Sequence, residues 1–186
     1  TAVNELSEEV NLTWNTYLGF DGGVIGFELY RSFDGNFPTT PYKTFSATQS
    51  SFLDKLTGSG FDGNVCYFIR ALEGSNTYND PASSNSNHAC VVFTPLVYLP
   101  NALVVGGHNP TFKPVITFEQ PNQVQLTIYD RYGQVIFETF DSNEGWSGQL
   151  EPSGQLASPG VYPYELRVLD YENREYVTRG HVSVIR

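Results

Sequence analysis

The sequence predicts an all-β chain, two antiparallel β-sandwiches in tandem, and three observations predict it. Short runs in which apolar and polar residues alternate recur along the chain, the period of a half-buried strand. Turn chemistry separates them: FDGG (20–23), SFDGN (32–36) and GSGFDGN (58–64) each set Asp or Asn beside Gly. Composition agrees, with 12 Tyr, 13 Phe and no Met. No window of a dozen residues keeps a helical apolar stripe without a Gly or Pro in it. At 186 residues the chain holds one large or two ordinary β domains, either with a real core.

The first segment, residues 1–95, supplies its strands in order. VNLTW (10–14) places Val10, Leu12 and Trp14 on one face, and IGFELY (25–30) places Ile25, Phe27 and Leu29 on one face. VCYFIRA (65–71) does the same with Val65, Tyr67, Ile69 and Ala71. Residues 74–88, GSNTYNDPASSNSNH, are polar and rich in breakers, which predicts a loop between the last two strands. Cys66 and Cys90 flank that loop. Two cysteines are too few for a four-ligand zinc site, so they read as one disulfide clipping neighbouring strands, worth roughly 3 kcal/mol and requiring an oxidising compartment. Two buried free thiols are the alternative.

The second segment, residues 96–186, opens near TPLVYLPNAL (94–103). In LTIYDRYGQVIFET (126–139) Leu126 and Ile128 alternate with Thr127, DRYG interrupts, and alternation resumes through Val135 and Phe137, the pattern of a β-hairpin. A type I turn with its last position left-handed suits this loop, and Gly133 takes positive φ at no steric cost. The turn does not by itself call for an arginine and a tyrosine at the tip. PSGQLASPG (152–160) is hairpin-prone. In GVYPYELRVL the residues Tyr162, Tyr164, Leu166 and Val168 share a face, opposite Pro163, Glu165 and Arg167. Pro163 cannot donate to a ladder, so its position faces solvent or an edge.

Net charge is −10 with only three lysines, Lys43, Lys55 and Lys113, a surface that phosphate backbones and anionic lipid heads repel. Nucleic acid is therefore not expected as a partner. No apolar run is long enough to span a bilayer, and no basic-then-apolar signal segment opens the chain. Starting at Thr1, the chain reads as a processed product or a piece of a longer protein, with any secretory signal upstream.

The three histidines, His88, His108 and His181, are scattered, with no H-E-x-x-H and no ligand spacing. No G-x-S-x-G elbow occurs, and the GG pairs at 22–23 and 106–107 lack a following helix. The expectation is a non-enzymatic region without metal or other cofactor.

LTW (12–14), YRSFDGNF (30–37) and the CY-x-I-x-A strand (66–71) make the first segment resemble fibronectin type III-like modules of large bacterial surface proteins. Farther on, VYLPNA (97–102), IYDRYGQVIFET (128–139), GWSG (145–148), PGVYPYELRVL (159–169) and GHVSVIR (180–186) occur in order. Together they resemble the type B C-terminal sorting domain, or gliding motility-associated C-terminal domain, of the type IX secretion system of Bacteroidota. That resemblance implies a sorting signal of a secreted or cell-surface protein of a Gram-negative bacterium, reached via the periplasm, with an N-terminal cargo and a PorP-like outer-membrane barrel as partner. It makes Asp130, Arg131, Tyr132, Gly133 and Arg186 candidate partner-recognition residues. An arginine fork and an aromatic ring suit a partner's pocket. The plainer alternative is that Asp130 and Arg131 solvate the turn while Tyr132 packs locally.

Two departures from the family pattern stand out. Where the family carries an oxygen-rich Thr-Pro-Asn-Gly-Asp-Gly stretch, residues 102–112 read ALVVGGHNPTF without a carboxylate, which argues against calcium there. Ser147 stands where the family tends to have Asp. For the first segment two roles remain open. It is a spacer, or it is an adhesin module whose aromatics, among them Tyr17, Phe20, Phe33, Phe37, Tyr42, Phe61 and Tyr78, stack on sugars.

Overall fold

The structure is a computed structural model, and it describes residues 2–4, 8–118 and 123–185. The described residues contain strands and turns and no helix. Two compact units divide the chain, Thr1–Val92 and Phe93–Arg186.

In the first unit β1 (Ala2–Asn4), β2 (Glu9–Thr13), β3 (Val24–Ser32), β4 (Lys43–Ser46), β5 (Ser51–Lys55), β6 (Asn64–Glu73), β7 (Ser83–Asn85) and β8 (Ala89–Val92) form two antiparallel sheets. One runs β1-β2-β5; the other runs β4-β3-β6, with β7 and β8 both paired to β6. Val10 and Leu12 of β2, Phe27 and Leu29 of β3, and Val65, Tyr67 and Ala71 of β6 are buried, as their alternation predicts. Ile25 is a correction: a register shift between Val24 and Gly26 turns it out of the core, and it is 64% exposed. A bulge reverses facing without changing the sequence pattern. Residues 74–88 are likewise not all loop, because Ser83–Asn85 pair with Leu72–Arg70. Their ladder is held by backbone groups and shows no apolar signature.

In the second unit β9 (Leu96–Tyr98), β10 (Ala102–Val104), β11 (Val115–Thr117), β12 (Val124–Tyr129), β13 (Val135–Thr139), β14 (Gln149–Leu150), β15 (Gln155–Leu156), β16 (Gly160–Leu169) and β17 (Glu175–Ile185) follow. The main sheet runs β10-β17-β16-β12-β13, with β10 parallel to β17 and the other pairs antiparallel. Smaller pairs, β9 with β11 and β14 with β15, complete the unit. Leu126, Ile128, Leu166, Val168, Val182 and Trp146 lie in one core, against which Tyr162 and Tyr164 pack. Burying several such side chains at about 2 kcal/mol each is what drives the unit together. The Trp146 indole N–H donates to the Gln149 carbonyl at 2.7 Å, so the ring is buried without an orphaned donor.

Candidate functional site

β12 and β13 pair from Leu126↔Thr139 to Ile128↔Phe137, then shift register so that Tyr129 faces Val135. The shift buries Ile136 and Phe137 in succession and leaves Val135 exposed, so the simple alternation expected through Val135 does not hold. At the tip Asp130 N–H donates to the Gln134 carbonyl (2.8 Å), and Gly133 N–H donates to the Asp130 carbonyl (3.1 Å). The Asp130 carboxylate accepts the Tyr132 and Gln134 amides at 2.8 and 2.9 Å. Gly133 has φ 82°, a conformation that costs a side-chain-bearing residue about 1 kcal/mol. Asp130 and Gly133 therefore build the turn.

Arg131 and Tyr132 have no such duty. Tyr132 is 87% exposed, and neither side chain has a hydrogen bond, ion pair or ring contact among the described residues. The unit's other described arginines are engaged. Arg167 and Arg179 both bind Glu165, at 2.7 and 2.6 Å, and Arg174 binds Asp170 at 2.6 Å. Bonds from the Arg179 and Arg167 side chains hold the Glu165 carboxyl below its ordinary range. Among the described residues Arg131 is the unpaired arginine of this unit, in a chain of net charge −10.

Beside the tip lies a groove of about 660 Å³, lined by Arg131, Gln134, Ile136, Leu150, Pro152 and Val161 among others. It begins where the β12–β16 ladder stops, at Ile128↔Tyr164. The next residue of β16 is Pro163, which has no N–H to continue the ladder. β16 runs on to Gly160, paired with β17 alone.

Residues 97–184, nearly all of this unit, match the family model described as the CHU_C type IX secretion signal domain. The second unit is a domain of that family. The signal domain ties the chain to the type IX secretion system and to export across the outer membrane, to the cell surface or beyond it. Among curated proteins, none matches the sequence. Solved structures with similar folds include the fibronectin(III)-like modules of Clostridium thermocellum CbhA (13% identity, 96% of this chain and 85% of that one, TM-score 0.31). A tetra-tandem repeat in the extending region of a large adhesion protein gives 17% identity, 88% and 43% coverage, and TM-score 0.48. Dimeric latent PorU from Porphyromonas gingivalis gives 16%, 91% and 17%, and 0.31.

Of the five candidate recognition residues, the fold of the signal domain brings Asp130, Arg131, Tyr132 and Gly133 together on one turn, and Arg186 lies outside the described residues. The carboxylate-free stretch 102–112 is closed by backbone and amide bonds. Val104 N–H donates to the Asn109 carbonyl, and the Asn109 side chain donates to the Ala102 carbonyl, both at 2.8 Å. The groove was not among the sequence expectations, although Pro163 carried its one signal.

In the first unit Cys66 and Cys90 are register partners on β6 and β8 and form a disulfide. Most of its candidate sugar-stacking rings are occupied: Phe33 lies against Phe61, Phe37 against Phe68 and His88, and Tyr42 beneath the Arg31 guanidinium. Tyr78 is the exception, 80% exposed. Its loop is pinned by Asn76, which accepts the Tyr78 and Asp80 amides and donates to Glu73.

Proposed function

We propose that residues 1–186 are the targeting region of a larger secreted or cell-surface protein. The signal domain is recognised by the type IX machinery, and residues 1–95 stand as a fibronectin-like spacer between cargo and signal. In this reading the region is non-enzymatic and works by protein–protein recognition. Arg131 and Tyr132 are the contact side chains, and the partner is a PorP-like outer-membrane barrel met after transit of the periplasm. The observation that supports the tip is its division of labour: two residues satisfy the turn internally, and two are exposed with no side-chain partner among the described residues. An arginine that could pair with a neighbouring acid but does not keeps its full donor fork for a partner.

The test is export of a fluorescent reporter, preceded by a periplasmic signal and fused to residues 1–186, in a gliding bacterium with and without its type IX machinery. Export that depends on the machinery, and falls at least tenfold in Arg131→Ala and Tyr132→Ala, is the expected result. Retention of a folded fusion beside a co-expressed cognate barrel would reject the targeting role.

A second reading, glycan binding by the first unit, draws on Tyr78 alone, an exposed ring on an ordered loop. A glycan array with the full chain and Tyr78→Ala decides it, and absence of binding across neutral and acidic panels ends it.

A further inference from the structure

The direction in which the backbone of β16 faces can be fixed from bonds at its far end. Leu169 N–H donates to the Gln123 carbonyl, on the β12 side. The pairing of β16 with β17 is unbroken from Leu169↔Glu175 to Gly160↔Val184. In an antiparallel ladder alternate residues direct both N–H and C=O to the same side, so Arg167, Glu165, Pro163 and Val161 face as Leu169 does. β17 agrees: Ser183 N–H donates to Asn101 and the Ile185 carbonyl accepts from Val105, leaving Val182 and Val184 to bond Tyr162 and Gly160.

Val161 therefore points its backbone donor and acceptor away from β17, along the line that β12 has left. The hairpin has turned aside at Asp130, and among the described residues nothing takes up these two groups. Val161 and Arg131 both line the groove. Its contents are a free ladder position, an apolar floor of Ile136 and Leu150, and an unpaired guanidinium at one end.

We infer that this groove accepts an extended segment of the recognising protein, which adds as a strand beside Val161 in the line of β12 and sets a carboxylate against Arg131. Strand addition explains why a sheet edge is left open inside a walled groove, where an incoming chain gains main-chain bonds and side-chain pockets together. A carboxylate opposite Arg131 follows from its unpaired donor fork: Arg131 is the one cation of a lining whose acids are Asp130, with Oδ1 taken by two amides, and Glu151. Pro163 limits the added ladder, since it offers a carbonyl but no N–H, and so fixes the register on Val161. The inference rests on the reading of this unit as an export signal and deepens it.

The reporter fusion tests it with Val161→Pro and Val161→Thr. The proline removes the N–H that faces the groove while taking no bond from the β17 ladder, and the threonine keeps that N–H. Export reduced at least tenfold by the proline and within twofold of native for the threonine, with both variants melting within a few degrees of native, is the expected result. Native export of Val161→Pro together with loss in Arg131→Ala rejects strand addition and leaves the tip as the signal. Native export of both variants rejects the tip reading as well. If Val161→Pro does not fold, a photo-crosslinking residue at Gln134, on the opposite wall, decides. An adduct to a segment of a type IX component during export supports the groove, and efficient export without any adduct overturns it.

Discussion

Asp130 and Arg131 are neighbours of opposite charge that do not pair, and Oδ1 of the aspartate instead accepts the amides of Tyr132 and Gln134. Their substitutions should therefore separate. Asp130→Ala removes two charge-assisted bonds and should cost about 2 kcal/mol of stability, lowering the melting temperature. Arg131→Ala should leave the melt within about 0.5 kcal/mol of native, as surface changes do. Thermal denaturation of both proteins checks this, and equal losses would show that Arg131 is part of the turn.

A second prediction concerns the interior of the first unit. Asp54, fully buried, accepts two bonds from Arg31 (3.1 and 3.0 Å), one from Tyr42 (3.0 Å) and one from Tyr67 (2.8 Å). The Arg31 guanidinium lies 3.8 Å from the centre of the Tyr42 ring. Burial, then the Asp54 bond, raise the Tyr67 phenol above its ordinary value, so it stays a donor at any ordinary pH. Asp54→Ala strands a cation and should cost about 3–5 kcal/mol, against about 1 kcal/mol for Tyr42→Phe, which leaves the ion pair in place. Urea denaturation of the two variants measures the difference. Equal costs would mean that Arg31 finds water when its partner is gone.

The strands were legible where one periodicity ran without interruption. Val10 and Leu12, or Leu166 and Val168, are buried as their alternation requires. Ile25 and Val135 were misread for one physical reason: each lies beside a register shift, and a bulge flips every later facing while leaving the letters unchanged. β7 was invisible because its Ser-Ser-Asn residues carry no apolar side chain and pair through the backbone and one polar Arg70–Asn85 side-chain bond. Half of the candidate site was legible, since DRYG interrupts a hairpin at a readable place. The groove was not, because it depends on where β12 leaves β16, a tertiary fact to which Pro163 contributes only the final step.

The disulfide makes a third prediction. Cys66 and Cys90 are separated by 24 residues, and closing a loop of that size restricts the unfolded chain by about 3 kcal/mol in the chain-entropy account. The double substitution Cys66→Ala and Cys90→Ala should lower the stability of the first unit by that order. Amide exchange read residue by residue should show faster opening of β6 and β8 and no change in β16. Uniform acceleration through both units would contradict this.

The last prediction is a pH dependence confined to the β16–β17 hairpin. Asp170 is fully buried and accepts the Glu172 and Arg174 amides (2.8 and 2.9 Å), the Arg174 side chain (2.6 Å) and the Tyr176 hydroxyl (3.1 Å). Burial works to raise its pKa, but the Arg174 bonds and those from Glu172 and Tyr176 outweigh it, holding the carboxyl below its ordinary value. A depressed folded-state pKa means that the unfolded chain binds the proton first. The stabilisation is complete above the unfolded value near 4, and it is lost as pH falls through the folded one. Asp170→Asn keeps one acceptor for the two amides but loses the charge, and should cost about 2 kcal/mol at pH 7. Because Asn does not titrate, the gap between native and variant should narrow steadily below about pH 4. Hydrogen exchange of the β16 and β17 amides from pH 7 down to pH 3 reads this locally, apart from the acid response of Glu73, whose carboxyl is held low by the amides of Ala82 and Gly22 in the other unit. A gap that stayed constant over that range would show that Asp170 binds its partners equally well protonated, and that geometry rather than charge secures the turn.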